Sequence, residues 1–195
     1  MNSTAMLDRS EPVAVQRRDM ADAAEQTRRF EEYIVPEMPF LARISRSMSH
    51  SQAEAEDLAQ ETLVKAFRAM DGFDGKHPRA WLARIARNTA INRDQRNREF
   101  LLPEEGIVEP EPDDSEDPED IVLSGVVDED LLRALDELPP SFRVVVQLVD
   151  VEEMSYKDAA DALDIPLGTV MSRLHRARAR LRRSLRGTPL DKERA

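Results

Sequence analysis

Arginine is the residue type whose placement in this chain points to chemistry. Between Ile165 and Leu190 stand seven Arg and one His without a single acid. Between Gly75 and Phe100, seven Lys or Arg face only Asp94 and Glu99, a local charge of +5. Clustered guanidinium groups neutralise phosphates and grip the edges of bases, so both blocks point to nucleic acid. Residue sets for other chemistry are scattered or missing. His50, His77 and His175 stand far apart without a metal-ligand spacing, and neither a Gly-rich phosphate loop nor a nucleophile motif occurs. The chain has no cysteine, which excludes disulfides, thiolate metal sites and thiol redox sensing by the chain itself. A binding protein without catalytic activity or cofactor is expected.

The formal net charge of −11 over 195 residues would argue against a nucleic-acid binder if it were evenly spread. It is segregated instead: Glu104 to Asp120 holds ten acidic residues and no Lys or Arg. Each block must therefore be read by itself. No stretch approaches the length of a transmembrane helix, and Met1 to Met20 carries charges throughout rather than an apolar leader core. The expectation is a cytoplasmic protein with no membrane partner.

The arginine blocks need helices to present them. From Phe30 to about Phe100 apolar residues recur three and four apart, with interruptions at Pro36 and Pro39, Ser47 to Ser51, and Asp71 to Pro78. The same period returns from Asp128 to about Arg186, and no stretch alternates with the period of two that strands need. The fold class is all-α: two small helical domains joined by an acidic linker, the second ending in a helix-turn-helix. The expected division is a flexible N-terminal extension over 1–25, a first domain over 26–100, the linker over 101–127, a second domain over 128–187 and a tail over 188–195. The linker holds four prolines and two glycines among its acids and cannot form a core.

In the second domain, Ser155-Tyr156-Lys157-Asp158 has capping-box spacing, with Ser155 accepting from the amide three residues on and Asp158 reaching back. Ala159 and Ala160 let another helix cross closely, Asp164-Ile165 supplies a turn, and Pro166 suits the first position of the next helix. On a wheel at about 100° per residue, Val170, Leu174, Ala177 and Leu181 form one stripe. Met171, Ser172, His175, Arg176 and Ala179 lie opposite, flanked by Arg173, Arg178 and Arg180. A hydrophobic back with a polar, Arg-flanked front suits a helix that reads the major groove. Arg176 has the fork for guanine O6 and N7, Ser172 suits base or phosphate, and the flanking arginines suit phosphates.

Together with Leu138-Pro139 and Ile165-Pro166-Leu167-Gly168-Thr169-Val170, these motifs resemble region four of extracytoplasmic-function sigma factors. The resemblance implies a domain that reads the promoter −35 element, with Thr169, Met171, Ser172, Arg173, His175, Arg176 and Arg178 at the DNA. The first half resembles region two of the same family. Ala55-Glu56-Asp57-Leu58-Ala59-Gln60-Glu61-Thr62 matches its signature. The helical wheel places Asp57, Gln60, Glu61, Val64 and Arg68 on one outer face, with Ala59, Leu63, Ala66, Phe67 and Met70 inside. That outer face is implied to bind the clamp coiled coil of the polymerase's largest subunit, and the core's flap is a further implied contact.

Trp81-Leu82-Ala83-Arg84-Ile85-Ala86-Arg87-Asn88 is similar to the family's helix for the −10 element. Trp81 itself sits inward with Leu82, Ile85 and Thr89. Arg84, Arg87, Asn88 and Ile91 share an outward face, and the resemblance implies that the loop from Phe73 through Asp74 to Lys76 captures a flipped base. It also implies an anti-sigma partner covering both domains. In the mechanism so implied, the two domains grip polymerase and touch promoter DNA at two points. Opening draws on captured bases, and the chain hydrolyses no nucleotide. The acidic block either mimics nucleic acid in a basic channel of the polymerase or is a solvated spacer. A helix-turn-helix regulator acting without polymerase is the competing reading, but no receiver or ligand-pocket pattern occupies the first half.

Overall fold

The structure, a computed structural model, describes residues 11–93 and 129–186, with side chains over 22–93 and 130–186. The acidic linker and the tail lie outside the described residues. Helix α1 (Glu11–Tyr33) is followed by a 3-10 turn (Val35–Glu37), α2 (Met38–Ser47), α3 (Gln52–Arg68), a second 3-10 turn (Met70–Gly72) and α4 (Pro78–Arg93). The second half holds α5 (Glu129–Glu137), α6 (Pro140–Val146), a π-helical turn (Gln147–Val151), α7 (Tyr156–Leu163) and α8 (Leu167–Leu185). No strand occurs among the described residues, as the all-α expectation requires.

Helix α1 runs across residue 25, where the sequence suggests the end of a flexible extension. What fixes it lies in its last two turns. Gln26 donates to the Phe67 carbonyl at 2.6 Å, and Arg29 donates to the carbonyls of Met70 and Phe73. These donors serve carbonyls at and beyond the C-terminal end of α3, which have no partner within that helix. Phe30 meets Phe67 edge-on at 5.3 Å. Polarity upstream of Gln26 concealed the helix from a periodicity argument.

Helix α3 starts two residues earlier than its acidic first turn indicates. Ser51 accepts from the Glu54 amide at 3.2 Å, and the Glu54 carboxylate accepts from the His50 amide at 3.0 Å. Both otherwise unpaired donors are satisfied by a Ser-x-x-Glu spacing. The buried stripe of α3 is Ala55, Leu58, Thr62 and Ala66, with Ala59, Leu63 and Phe67 at its margin.

The halves pack together rather than standing apart on a linker, and one buried core runs through both. Helix α4 lies on α7, while α2 lies on α6 and on the π turn. α4 buries Ala83, Ala86 and Ala90, and α7 buries Ala159, Ala160 and Ala162. Small side chains let the two backbones approach closely. α7 is thus crossed by α4 as well as by α8.

Ion pairs lock the seam. Glu152, with its side chain only 3% exposed, accepts from Arg43 Nε at 2.6 Å and Nη2 at 2.9 Å, and from Gln147 Nε2 at 3.0 Å. Arg79 stands 3.6 Å away and also pairs with Glu37. Burial alone would raise the Glu152 pKa, but the hydrogen bond and charge of Arg43, with Gln147 and Arg79 behind them, hold it below the ordinary 4.5. Arg143 on α6 crosses the seam differently: it donates to the carbonyls of Asp136 and Leu138, both at 2.9 Å, and of Ser49 at 3.3 Å. A cation there complements the C-terminal end of α5.

Replacing Glu152 by Gln is expected to cost about 2 kcal/mol of unfolding free energy at neutral pH. A carboxylate whose folded pKa is lowered stabilises above its unfolded value and loses that contribution as pH falls through the folded value. Urea titrations at several pH values should therefore show the wild-type advantage over Glu152→Gln fading below about 4.5.

Candidate nucleic-acid interface

Capping and turn geometry set the direction of α8. Ser155 accepts from the Asp158 amide at 3.1 Å, as its spacing predicts. The return contact differs from a capping box, because the Ser155 hydroxyl donates to the Asp158 carboxylate at 2.8 Å. α7 ends at Asp164, which takes the left-handed conformation (φ 49, ψ 50) while the Ile165 amide donates to the Ala160 carbonyl at 3.1 Å. Pro166 stands one position before the helix, not inside its first turn. Its ψ of 145 aims its carbonyl at the amides of Thr169 and Val170, at 2.9 and 3.2 Å.

The expected back of α8 is the buried one: Val170, Leu174, Ala177 and Leu181 are all buried. On the front, Met171 is 51% exposed and Ser172 is exposed, with Thr169, His175 and Arg176 half-buried beside them. Ser172 donates to the Thr169 carbonyl at 3.1 Å, which leaves its oxygen lone pairs facing out as acceptors. These five residues make one accessible surface on which Arg176 carries the positive charge.

Two of the expected −35 residues are placed elsewhere. Arg173 is buried. Arg178 binds the nearly buried Asp150 carboxylate, with Nη2 to Oδ1 at 2.7 Å and Nε to Oδ2 at 3.3 Å. That pair fastens the π turn to α8. Arg180 lies with its guanidinium 4.7 Å from the Phe142 ring centroid. Arg178 and Arg180 therefore serve the fold, because an acidic and an aromatic partner far off in sequence reach them.

The first half is similarly divided. Phe73 is buried between Tyr33, edge-on at 5.7 Å, and Trp81 at 4.7 Å, so its ring is a core group and does not line an open base pocket. Trp81 is half-buried and inward, as expected. Asp74 and Lys76 are exposed, and Asp74 Oδ1 accepts from the Lys76 amide at 2.9 Å. Gly75 between them has φ +82, and a Cβ there would meet the Tyr33 ring at 3.7 Å. The positive φ is what demands glycine.

On α4, Arg84 and Asn88 are exposed and Ile91 is half-buried. Arg84 and Asn88 border a cleft of about 490 Å³ whose opposite wall is Asp161, Asp164 and Pro166 at the α7–α8 turn. Arg87 does not join them at the surface. Its side chain is 7% exposed and its Nη1 reaches Asp164 at 3.3 Å and Asn88 Oδ1 at 3.1 Å. The outer face of α3 is open as expected: Val64 is 50% exposed, Asp57, Gln60 and Arg68 are exposed, and Glu61 is half-buried. Arg93 of α4 pairs with Asp57 at 3.2 Å and approaches Glu61 at 3.8 Å, and Lys65 pairs with Glu61 at 2.8 Å.

Comparison with known proteins assigns both halves. The protein-family model Sigma-70 region 2 matches residues 34–99, and Sigma-70, region 4 matches residues 128–181. The chain is 34% identical over 146 residues to the ECF RNA polymerase sigma factor SigW of Bacillus subtilis, of which it covers 76%, using 68% of its own length. The chain belongs to the extracytoplasmic-function sigma factors. It is also 38% identical over 143 residues, 72% of its length, to the ECF sigma factor SigE of Mycolicibacterium smegmatis, and spans 55% of that longer relative. Its fold is similar to the sigma factor RpoE of Bartonella quintana, solved with the anti-sigma factor NepR. There the TM-score is 0.61 at 30% identity, covering 82% of this chain and 98% of that one.

Region two of this sigma factor thus comprises α2 to α4, and region four runs from α5 into α8. No helix among the described residues is long and apolar enough to cross a membrane. The seam residues Arg43, Glu152 and Asp164 were not anticipated, since no local spacing links positions so far apart.

The two kinds of arginine on α8 separate by experiment. Arg178→Ala strands a nearly buried carboxylate and should lower unfolding free energy by about 2 kcal/mol in urea titrations. Arg176→Ala should stay within about 0.5 kcal/mol of the parent.

Proposed function

We propose that this sigma factor docks on core RNA polymerase through the outer face of α3 and delivers α4 and α8 to the two elements of one promoter. The observation that carries this reading is the open front of α8 within a region-four match, paired with an open α3 face within a region-two match. Asp57, Gln60, Glu61, Val64 and Arg68 would meet the clamp coiled coil, an exposed valine supplying apolar contact among charges. Region four would meet the flap.

At the −35 element, Arg176 would take guanine bidentately, Ser172 would accept from a base or bond phosphate, and Met171 and His175 would lie on base edges and methyl groups. At the −10 element, Arg84, Asn88 and Ile91 would follow the backbone and unstacked bases, with Asp74 and Lys76 bordering the captured base. Arg87 would join them only once its contact with Asp164 is broken.

Magnitudes limit what the chain does alone. Binding one unstacked base is worth about 1–3 kcal/mol, while each lost base-pair step costs about 1.4 kcal/mol. Two captured bases, at about 2–6 kcal/mol together, would hold about one to four open steps, so polymerase must supply the rest of the bubble. The chain needs no catalytic group or cofactor for this and acts beside polymerase in the cytoplasm. An anti-sigma factor regulates it, a role supported by the solved complex of its structural relative with one.

In vitro transcription with core polymerase tests the assignment. Arg176→Ala should lower promoter binding about tenfold, with the loss confined to templates carrying the preferred −35 sequence. Arg84→Ala should leave that binding nearly intact and slow strand opening, read by permanganate reactivity of unpaired thymines. Equal loss on all templates from Arg176→Ala would contradict base reading by α8.

A further inference from the structure

Helix α1 ends at Tyr33, just before the region-two match begins at residue 34, yet its last two turns hold the loop that follows α3. Arg29, half-buried, donates through Nη1 to the Met70 carbonyl at 3.1 Å and through Nη2 to the Phe73 carbonyl. One guanidinium thus spans the 3-10 turn and grips the first residue of the Phe73–Lys76 loop, with charge-assisted bonds that a planar fork can make together. Tyr33, one turn further along α1, meets the Phe73 ring edge-on and lies against Gly75. Trp81 of α4 closes on Phe73 from the other side.

The loop needs such a holder. Gly75 has φ +82 and His77 φ 48, and a residue other than glycine keeps a left-handed backbone only where its surroundings impose it. The bond from the Lys76 amide to Asp74 Oδ1 shapes the loop locally without tying it to the domain. The tie runs through Phe73, whose ring is held between Tyr33 and Trp81 and whose carbonyl is held by Arg29. The exposed side chains of Asp74 and Lys76 project from a backbone fixed in this way. A loop ordered before its ligand arrives spares binding the entropy of ordering it. Gln26 provides an internal contrast, because it anchors α1 to the Phe67 carbonyl of α3 itself rather than to the loop.

We propose that Arg29 is a positioning residue for base capture: helix α1, through Arg29 and with Tyr33 as a platform, preorganises the Phe73–Lys76 loop to take its base. This inference rests on the assignment of that loop to base capture. Arg29 touches no base and acts through the Phe73 carbonyl, so α1 contributes to promoter selectivity from outside the region-two match.

The test uses holoenzyme assembled with the full chain and a pool of fork-junction DNA. Its upstream duplex comes from a promoter that the holoenzyme transcribes, and its single-stranded overhang is randomised across the −10 region. Sequencing the bound fraction gives the base preference at each position. Arg29→Met should shrink the preference at one position about five- to tenfold, because a loop that must be ordered on binding gives up that much of the capture energy. Preferences at the other positions and affinity for core polymerase should stay as in the parent. Arg29→Lys, whose ammonium lacks the fork that spans both carbonyls, should change the same position to a lesser extent. Gln26→Leu should lower stability to urea about as much as Arg29→Met while leaving every preference intact. Equal narrowing by Gln26→Leu would reduce the effect to a loosened α1 and overturn the proposal. Replacing Asp74 and Lys76 together by Ala tests the loop assignment separately. If that double variant changes the preference at one position and Arg29→Met does not, the proposal fails and the loop assignment stands. If the double variant changes none, the assignment fails and the proposal falls with it.

Discussion

A guanidinium group does not lose its charge when it is buried, so each arginine enclosed by this fold must be met by an acceptor. That requirement divides the arginines of an acidic chain into two sets. Arg143 and Arg178 are spent on helix-end carbonyls and on Asp150, while Arg43, itself exposed, is drawn onto the buried Glu152. Arg84 and Arg176 keep surface access. Arg87 falls between the sets, enclosed but poorly satisfied, and it lies where the two halves meet. The arrangement of the halves and the exposure of the proposed promoter faces are therefore one problem, governed by the same ion pairs.

The division also reconciles a net charge of −11 with DNA binding. Repulsion between an acidic protein and a phosphate backbone is long-ranged but screened over about 8 Å at physiological ionic strength. Helix α8 carries no acid and presents Arg176 on its front, so the field close to that front is positive. Specific contact is then local, while the acidic average disfavours unproductive binding to bulk DNA. Delivery by polymerase supplies the proximity that bulk attraction does not.

Much of this was legible in local patterns. The back of α8 from Val170 to Leu181, the cap at Ser155, the inward Trp81 and the open α3 face all follow from residues within a few positions of one another. The misplacements share one cause. Phe73 is buried by Tyr33, Arg87 is held by Asp164 and Arg178 by Asp150, each partner lying 28 to 77 positions away or across the seam. A helical wheel reports which side of a helix is apolar, and it says nothing about a second helix arriving on the polar side. α4 is the clear case, since Arg84, Arg87 and Asn88 read as surface and yet meet the α7–α8 turn. Helix α1 failed for the opposite reason: its first turns are polar in sequence, and among its described residues Gln26, Arg29, Phe30 and Tyr33 bind it down.

The central claim is that two arginine-bearing helices, one in each half, read one promoter while polymerase holds the chain. Sequencing of transcripts made by core polymerase with this chain on fragmented genomic DNA tests it most directly. The start sites should share two short upstream elements at a fixed separation, absent when the chain is omitted. Transcripts with no shared pair of elements, or the same starts without the chain, would contradict the account.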